Sequence, residues 1–145
     1  MLTSSQTVPE LADHLRFSVT RTARRLRQQG DPALSPTLAA ALSTIERAGP
    51  LGPSELARLE RVQRPTITRV LTRLCEAGLV TRVPDERDRR AALLEVTPAG
   101  RKALGDLRRQ KSAYLAERLT HLEPDERELL AEASQLLERM LEDQE

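Results

Sequence analysis

The stretch GPSELARLERVQRPTITRVLTRLCEAGLVTRVPDERDRRAALLEVT, from Gly52 to Thr97, decides the fold of this 145-residue chain. Its pattern predicts a helix, a tight turn, a second helix and a two-stranded hairpin with a charged tip. Longer amphipathic segments precede and follow it, so the stretch is the centre of a mainly helical protein.

The second helix of the stretch has one apolar and one polar face. Apolar residues at i, i+3, i+4 and i+7 predict a buried face, namely Ile67, Val70, Leu71 and Leu74. Arginine and threonine dominate the N-terminal half of the polar face and its flanks: Arg64, Pro65, Thr66, Thr68, Arg69 and Arg73. These side chains suit base edges and phosphates, although an ordinary amphipathic helix with a solvated face has the same pattern.

The first helix of the stretch is expected to begin at Gly52-Pro53, with Gly52 as N-cap and Glu55 in the position of a capping box. Its apolar residues Leu56, Ala57 and Leu59 are expected to pack on the second helix.

A charged hairpin follows the second helix. Gly78 is expected to end that helix, residues 79–83 and 91–96 to form two strands, and Thr97-Pro98 to begin the next helix. The tip between the strands contains three arginines, Arg87, Arg89 and Arg90, and three acids, Asp85, Glu86 and Asp88. Arginines at such a tip suit a narrow minor groove, with Asp88 and its neighbours orienting them; the alternative is a solvated turn.

Helix, turn, helix and hairpin in this order predict a winged helix-turn-helix. The sequence resembles the MarR family of bacterial transcription regulators over nearly its whole length. The resemblance rests on Leu56-Ala57, the run from Arg64 to Arg69, Leu74, Gly78-Leu79-Val80, Asp88-Arg89-Arg90 and the run from Leu94 to Gly100. The family usually has a small capping residue before the Arg-Pro pair, whereas this chain has Gln63, which predicts a less firmly fixed helix start.

The resemblance implies a mainly α fold with a small β-hairpin wing and a helical dimerisation region. Residues 1–33 would form an arm and a dimerisation helix, 34–97 the DNA-binding domain, and 98–145 the C-terminal dimerisation helices. It further implies a ligand-responsive repressor that binds a pseudo-palindromic operator in double-stranded DNA as a homodimer, at the residues of the second helix named above and at Arg87, Asp88, Arg89 and Arg90. A small aromatic or anionic effector would bind near His14, Arg16, Phe17, Leu38 and Ala41.

The flanking segments predict helices that need a partner. An N-terminal apolar stripe runs from Leu11 to about Gln29, a second helix begins at Ser35-Pro36, and a long helix runs from Thr97 to about His121. The wide stripe from Leu129 to Leu141 predicts an apolar face that one chain leaves uncovered.

Charge divides the chain into a basic middle and an acidic end. Residues 54–102 contain 11 basic and 7 acidic residues, a net charge of +4, whereas residues 117–145 contain 3 and 10, a net charge of −7. This asymmetry predicts that one surface faces phosphate and another faces away from it.

Other classes of function find little support in the sequence. No phosphate loop, nucleophile turn or catalytic cluster is visible, so we expect no enzyme and no cofactor. His14 and His121 lie on different predicted helices, which argues against a zinc site, and Cys75 beside Leu74 is expected to be an inert thiol. The alternative function is a winged-helix module for protein contacts without DNA binding.

The expected location is the bacterial cytoplasm, with nucleoid association when the protein is bound to DNA. No apolar run approaches membrane-spanning length, so no membrane partner is expected. A single cysteine fits a reducing compartment.

Overall fold

The computed structural model describes residues 6–142. Within that range the elements are α1 (Val8–Arg27), α2 (Pro36–Ala48), α3 (Pro53–Glu60), α4 (Arg64–Glu76), β1 (Val80–Pro84), β2 (Ala92–Val96), α5 (Pro98–Leu119) and α6 (Pro124–Glu142). The predicted fold class, mainly α with a β-hairpin wing, is confirmed.

The hydrophobic core joins α2, α3, α4 and the hairpin. Its fully buried large side chains are Leu42, Ile45, Leu56, Ile67, Leu74 and Leu94, and Leu104 of α5 packs on them. The predicted inner face of α4 is confirmed, since Ile67, Val70, Leu71 and Leu74 are all buried. Leu59 of α3, expected in the same contact, is instead 37% exposed, because this eight-residue helix buries only Leu56 and Ala57.

Local sequence signals fix where most helices begin and end. The Ser35 hydroxyl accepts a hydrogen bond from the Leu38 N–H at the start of α2. Gly78 has a φ of 72° and ends α4, with the Leu79 N–H donating to the Leu74 carbonyl at 3.0 Å. This is the C-terminal turn that glycine favours, because no Cβ opposes the positive φ.

The predicted capping box of α3 does not form. Gly52 is the N-cap, but it has no side chain to accept a hydrogen bond. The Glu55 carboxylate accepts from the Arg58 guanidinium at 2.7 Å instead, and this contact lowers the pKa of Glu55 below its ordinary value. An intact capping box begins α1, where Thr7 and Glu10 satisfy each other's N–H groups.

The hairpin pairs β1 with β2 in antiparallel register, from Val80 opposite Val96 to Pro84 opposite Ala92. A single bridge adds Leu51 to its edge, with the N–H of Leu94 donating to the Leu51 carbonyl at 2.9 Å. This bridge ties the base of the wing to the segment that precedes α3.

The described residues fall into two compact units, one extending to Lys111 and the other beginning at Ser112. Neither α1 in the first unit nor α6 in the second contains a buried residue. The predicted stripe on α6 is therefore uncovered in a single chain: Leu129, Leu136, Met140 and Leu141 are each more than half exposed. No helix within residues 6–142 combines the length and apolarity that crossing a membrane requires.

Candidate nucleic-acid interface

The turn between α3 and α4 depends on an unusual backbone conformation at Arg61. Its φ of 54° and ψ of 42° place it in the left-handed region. This geometry lets the Val62 N–H donate to the Ala57 carbonyl at 3.1 Å and the Arg61 N–H donate to the Arg58 carbonyl at 3.2 Å. The turn that orients the two helices is thus made with an arginine where glycine is the favoured residue.

The start of α4 is fixed by a contact between two helices rather than by a cap. The Gln63 side chain makes no capping hydrogen bond, as its identity predicts. The guanidinium of Arg64 instead donates to the hydroxyl of Ser54 in the first turn of α3. Ser54 therefore takes part in the geometry of the interface, although the sequence pattern did not single it out.

All six predicted contact residues on α4 are solvent-exposed: Arg64, Pro65, Thr66, Thr68, Arg69 and Arg73. The Thr68 hydroxyl donates to the Arg64 carbonyl at 3.1 Å. The hydroxyl of Thr68 therefore uses its proton in a hydrogen bond within the helix, and its oxygen can still accept a hydrogen bond. Arg69 and Thr66 are exposed and make no such local side-chain bond among the described residues, so both side chains are free to contact another molecule.

The wing tip is organised by its aspartates through the backbone. The Asp88 carboxylate accepts from the N–H of Arg90 at 3.0 Å, and the Asp85 carboxylate accepts from the N–H of Arg87 at 2.9 Å. Asp88, which we expected to orient the arginines, bonds to the backbone of the turn, and no salt bridge within residues 6–142 joins it to a guanidinium. Arg87, Asp88, Arg89 and Arg90 are all exposed at this tip.

The arginines of this region lack acidic partners. Among residues 6–142, salt bridges join Arg16, Arg58, Lys102, Arg108 and Arg109 to carboxylates. None involves the arginines of the α3–α4 turn, α4 or the wing, which are Arg61, Arg64, Arg69, Arg73, Arg82, Arg87, Arg89 and Arg90. Guanidinium groups without an acidic partner concentrate positive potential on the helix-turn-helix and wing, which suits a polyanion.

Two of these arginines were missed by the sequence pattern. Arg61 lies in the turn after α3, where no periodicity applies, and Arg82 lies on β1 among residues assigned only to a strand. Alternation gave no signal for Arg82, because residues two apart in a strand share a face and Val80 is buried, whereas Arg82 is exposed.

A separate cavity of about 300 Å³ lies in the first unit between the end of α1, α2 and α5. Arg27, Arg108 and Lys111 give it positive charge, and Leu34, Leu104 and Leu107 give it apolar surface. The Arg108 guanidinium also donates to the Glu46 carboxylate at 2.8 Å. The lining suits a small molecule that combines an anionic group with an apolar body.

The five residues predicted for an effector do not line this cavity. His14, Arg16 and Phe17 are exposed on α1, and Leu38 and Ala41 are buried in the core. The Nδ1 atom of His14 lies 2.9 Å from the amide nitrogen of Gln6, and Arg16 pairs with Asp13 at 3.5 Å. Phe17 and Ala41 therefore do not border this cavity. Its charged lining comes from the last turn of α1 and from α5.

Cys75 is half-buried and packs against the hydrophobic core beside Leu74. Among the described residues, no group of three or more His, Cys, Asp or Glu side chains is arranged to hold a metal ion.

Comparison with known proteins agrees with this geometry. The sequence profile of the MarR family matches residues 34–92. The HTH-type transcriptional regulator ML2140 of Mycobacterium leprae, whose own role is uncharacterized, is 34% identical over 134 residues, which cover 92% of this chain and 94% of that protein.

Solved structures share the fold over nearly the whole chain. A Pseudomonas aeruginosa PA01 protein assigned as a transcriptional regulator matches with a TM-score of 0.81 and 33% identity, covering 95% of this chain and 99% of that one. FabT of Streptococcus pneumoniae, solved in complex with DNA, matches with a TM-score of 0.57 and 23% identity over 93% and 94% of the two chains, which shows a shared fold. The chain belongs to the MarR family of transcriptional regulators.

Proposed function

We propose that this regulator binds double-stranded DNA as a homodimer, with α4 in the major groove and the wing at the minor groove. The observation that carries the proposal is the set of exposed arginines on the α3–α4 turn, α4 and the wing that form no salt bridge within residues 6–142. Arg69 and Thr66 would read base edges, whereas Arg61 and Arg82 would contact phosphates. We propose binding and regulation without a catalytic step.

The uncovered faces of α1 and α6 support the homodimer. A stripe as wide as that of α6, with Leu136, Met140 and Leu141 more than half exposed, is unfavourable in water unless a partner covers it. To enter successive major grooves, the two recognition helices of a symmetric dimer must lie about 34 Å apart, and the operator must then be pseudo-palindromic. Repression, the commonest mode in the family, follows if the operator overlaps a promoter.

The cavity lined by Arg27, Arg108 and Lys111 supports a small anionic effector. Such a molecule would lie between α2 and α5, and α2 packs directly on α3 and α4. A ligand that binds one arrangement of these helices better than another would change the affinity for DNA. DNA would in turn change the affinity for the ligand by the same factor. Benzoate, the simplest aromatic carboxylate, is a suitable probe: it should lower operator affinity in the natural protein and have no effect on Arg108→Gln/Lys111→Gln.

Titration of fluorescent duplex DNA with the full chain tests DNA binding. The affinity for random duplex should fall steeply as salt rises, because basic residues release counterions from phosphates. Operator fragments selected from genomic DNA should bind at least about a thousandfold more tightly than random duplex. Absence of binding to any duplex at low salt would leave a winged-helix module for protein contacts as the better description.

A further inference from the structure

The second half of α1 carries a group of exposed arginines, here named the α1 arginine cluster and defined as Arg21, Arg24 and Arg25. Together with Gln28 they surround a surface cleft of about 360 Å³. No acidic residue occurs between Phe17 and Gln29. None of the salt bridges among residues 6–142 includes a member of the cluster, so three positive charges stand together without partners there.

The cluster is on the side of α1 that its own unit does not use for packing. Leu15, Ala23 and Leu26 are the half-buried apolar residues of this helix. At about 100° per residue, the cluster points to the opposite side of the helix. The guanidinium of Arg21 stacks on Phe17, with 5.3 Å between its central carbon and the ring centroid, and Phe17 itself is 55% exposed. This face therefore combines positive charge with an exposed aromatic ring.

The α6 helix has the complementary composition. It carries six acids and two arginines, a net charge of −4: Asp125, Glu126, Glu128, Glu132, Glu138 and Glu142 against Arg127 and Arg139. None of these carboxylates forms a salt bridge within residues 6–142. The acids flank an apolar stripe that a single chain leaves exposed, so α6 needs a partner that is both apolar and basic.

We infer that the α1 arginine cluster of one copy pairs with the acidic side chains of α6 in a second copy. A second copy fits because the same sequence supplies both unpaired surfaces, and a two-fold axis forms each contact twice. The pairing makes self-association sensitive to salt and selective for a partner with the same charge pattern. This inference rests on the homodimer proposed above and goes further by naming the charges that select the partner.

Sedimentation velocity across a dilution series tests the pairing at about 50 mM and about 500 mM NaCl. Arg21→Gln/Arg24→Gln/Arg25→Gln should weaken dimerisation at least about tenfold at low salt, because small gains from individual exposed pairs are formed twice in a symmetric dimer. It should also remove most of the salt dependence. A matched control, Arg47→Gln/Arg58→Gln/Arg101→Gln, removes three exposed arginines elsewhere in the first unit and should dimerise as the natural protein does. Circular dichroism verifies that both variants keep their helix content.

A charge exchange gives the decisive result. Arg24→Glu/Arg25→Glu and Glu132→Arg/Glu138→Arg should each self-associate poorly, whereas their mixture should form a heterodimer as stable as the natural homodimer. The inference is overturned if the mixture does not associate. It is also overturned if the triple glutamine variant dimerises with the affinity of the natural protein at both salt concentrations. Neither result contradicts the homodimer. An unchanged dimer with a lower salt slope for DNA binding would assign the cluster to phosphate contacts instead. If the natural protein is a monomer at about 10 µM, the proposal of a homodimer is itself wrong.

Discussion

The hydroxyl of Thr97 donates a hydrogen bond to the carbonyl oxygen of Gly78 at 2.6 Å, and so joins the end of α4 to the start of α5 across the base of the wing. The same hydroxyl accepts from the N–H of Gly100 at 3.0 Å, which caps α5. One side chain thus satisfies backbone groups of two helices, and the position of the wing depends on it.

Thr97→Val keeps the shape of this side chain and removes both hydrogen bonds. The expected loss is about 1–2 kcal/mol of unfolding free energy, because a helix cap disappears and the Gly78 carbonyl loses its partner. Thr81→Val on exposed β1 is the control, with an expected change within about 0.5 kcal/mol. Urea titration measures both; equal values for the two variants would show that the Thr97 bonds contribute nothing.

Arg69 is exposed on the face of α4 opposite its buried stripe, with no acidic partner among the described residues. Arg69→Ala should therefore leave thermal stability nearly unchanged. If the guanidinium reads guanine, operator binding should lose roughly 1–3 kcal/mol per half-site, and random duplex should lose much less. Arg127→Ala in α6 removes the same charge and should alter neither affinity. Equal losses on operator and random duplex would reassign Arg69 to a phosphate contact.

Asp88 can influence DNA binding in two ways, through its negative charge and through its hydrogen bond to the Arg90 N–H, and substitutions can separate them. Asp88→Ala should weaken DNA binding about three- to tenfold even though it removes a negative charge, because the turn that presents Arg90 loosens. Asp88→Asn keeps an acceptor oxygen without the charge, so it should bind DNA at least as tightly as the natural protein. Glu86→Ala, which removes the same charge from the same tip, should also bind no more weakly.

Arg90→Ala should weaken binding to all sequences and reduce the preference for A·T-rich minor grooves. Anisotropy titrations with duplexes that differ only in the sequence under the wing measure this preference. If Arg90→Ala binds DNA with the affinity of the natural protein, Arg90 is not the minor-groove contact. Arg87 and Arg89, which are exposed at the same tip, would then be the next candidates.

The sequence predicted those parts of the fold that depend on local patterns. The spacing of Ile67, Val70, Leu71 and Leu74 was sufficient to orient α4, and Gly78 was sufficient to end it, because each signal acts within one or two turns. The capping box at Glu55 was wrong because the N-cap, Gly52, has no side chain to accept a hydrogen bond, and the Glu55 carboxylate pairs with Arg58 instead.

Interactions between distant segments were less accessible from the sequence. The contact of Ser54 with Arg64 joins two helices, and the cavity near Arg108 joins residues far apart in the chain, so no periodicity reveals either one. The effector residues were placed by family resemblance, and that resemblance did not specify which face of α1 borders the cavity. The contacts proposed for DNA on α4 and the wing stay predictions until the variants are measured.

Because Arg61 has a positive φ of 54°, we expect that a substitution at this position can stabilise the turn. Arg61→Gly should raise unfolding free energy by up to about 1 kcal/mol, since glycine adopts a positive φ without steric cost. Arg61→Ala removes the same side chain but retains the strain, so it should not stabilise. Both variants should lose the proposed phosphate contact and lower the salt slope of DNA binding equally. Stabilisation by alanine as large as that by glycine would show that charge rather than backbone strain decides.

Two glycines of α5 should respond to the same substitution with opposite signs. A Cβ at Gly100 would clash with the carbonyl oxygen of Leu79 and lie 2.7 Å from Cγ1 of Val96, where backbone must move to make room. Gly100→Ala should therefore cost about 1–3 kcal/mol and loosen the junction of wing and helix. A Cβ at Gly105 would meet only the flexible end of Arg109 at 3.5 Å, so Gly105→Ala should gain about 0.5–1 kcal/mol from helix propensity. Thermal and urea unfolding of the two variants measures the difference, and a gain at Gly100 would show that the close approach of α5 to Leu79 does not constrain this position.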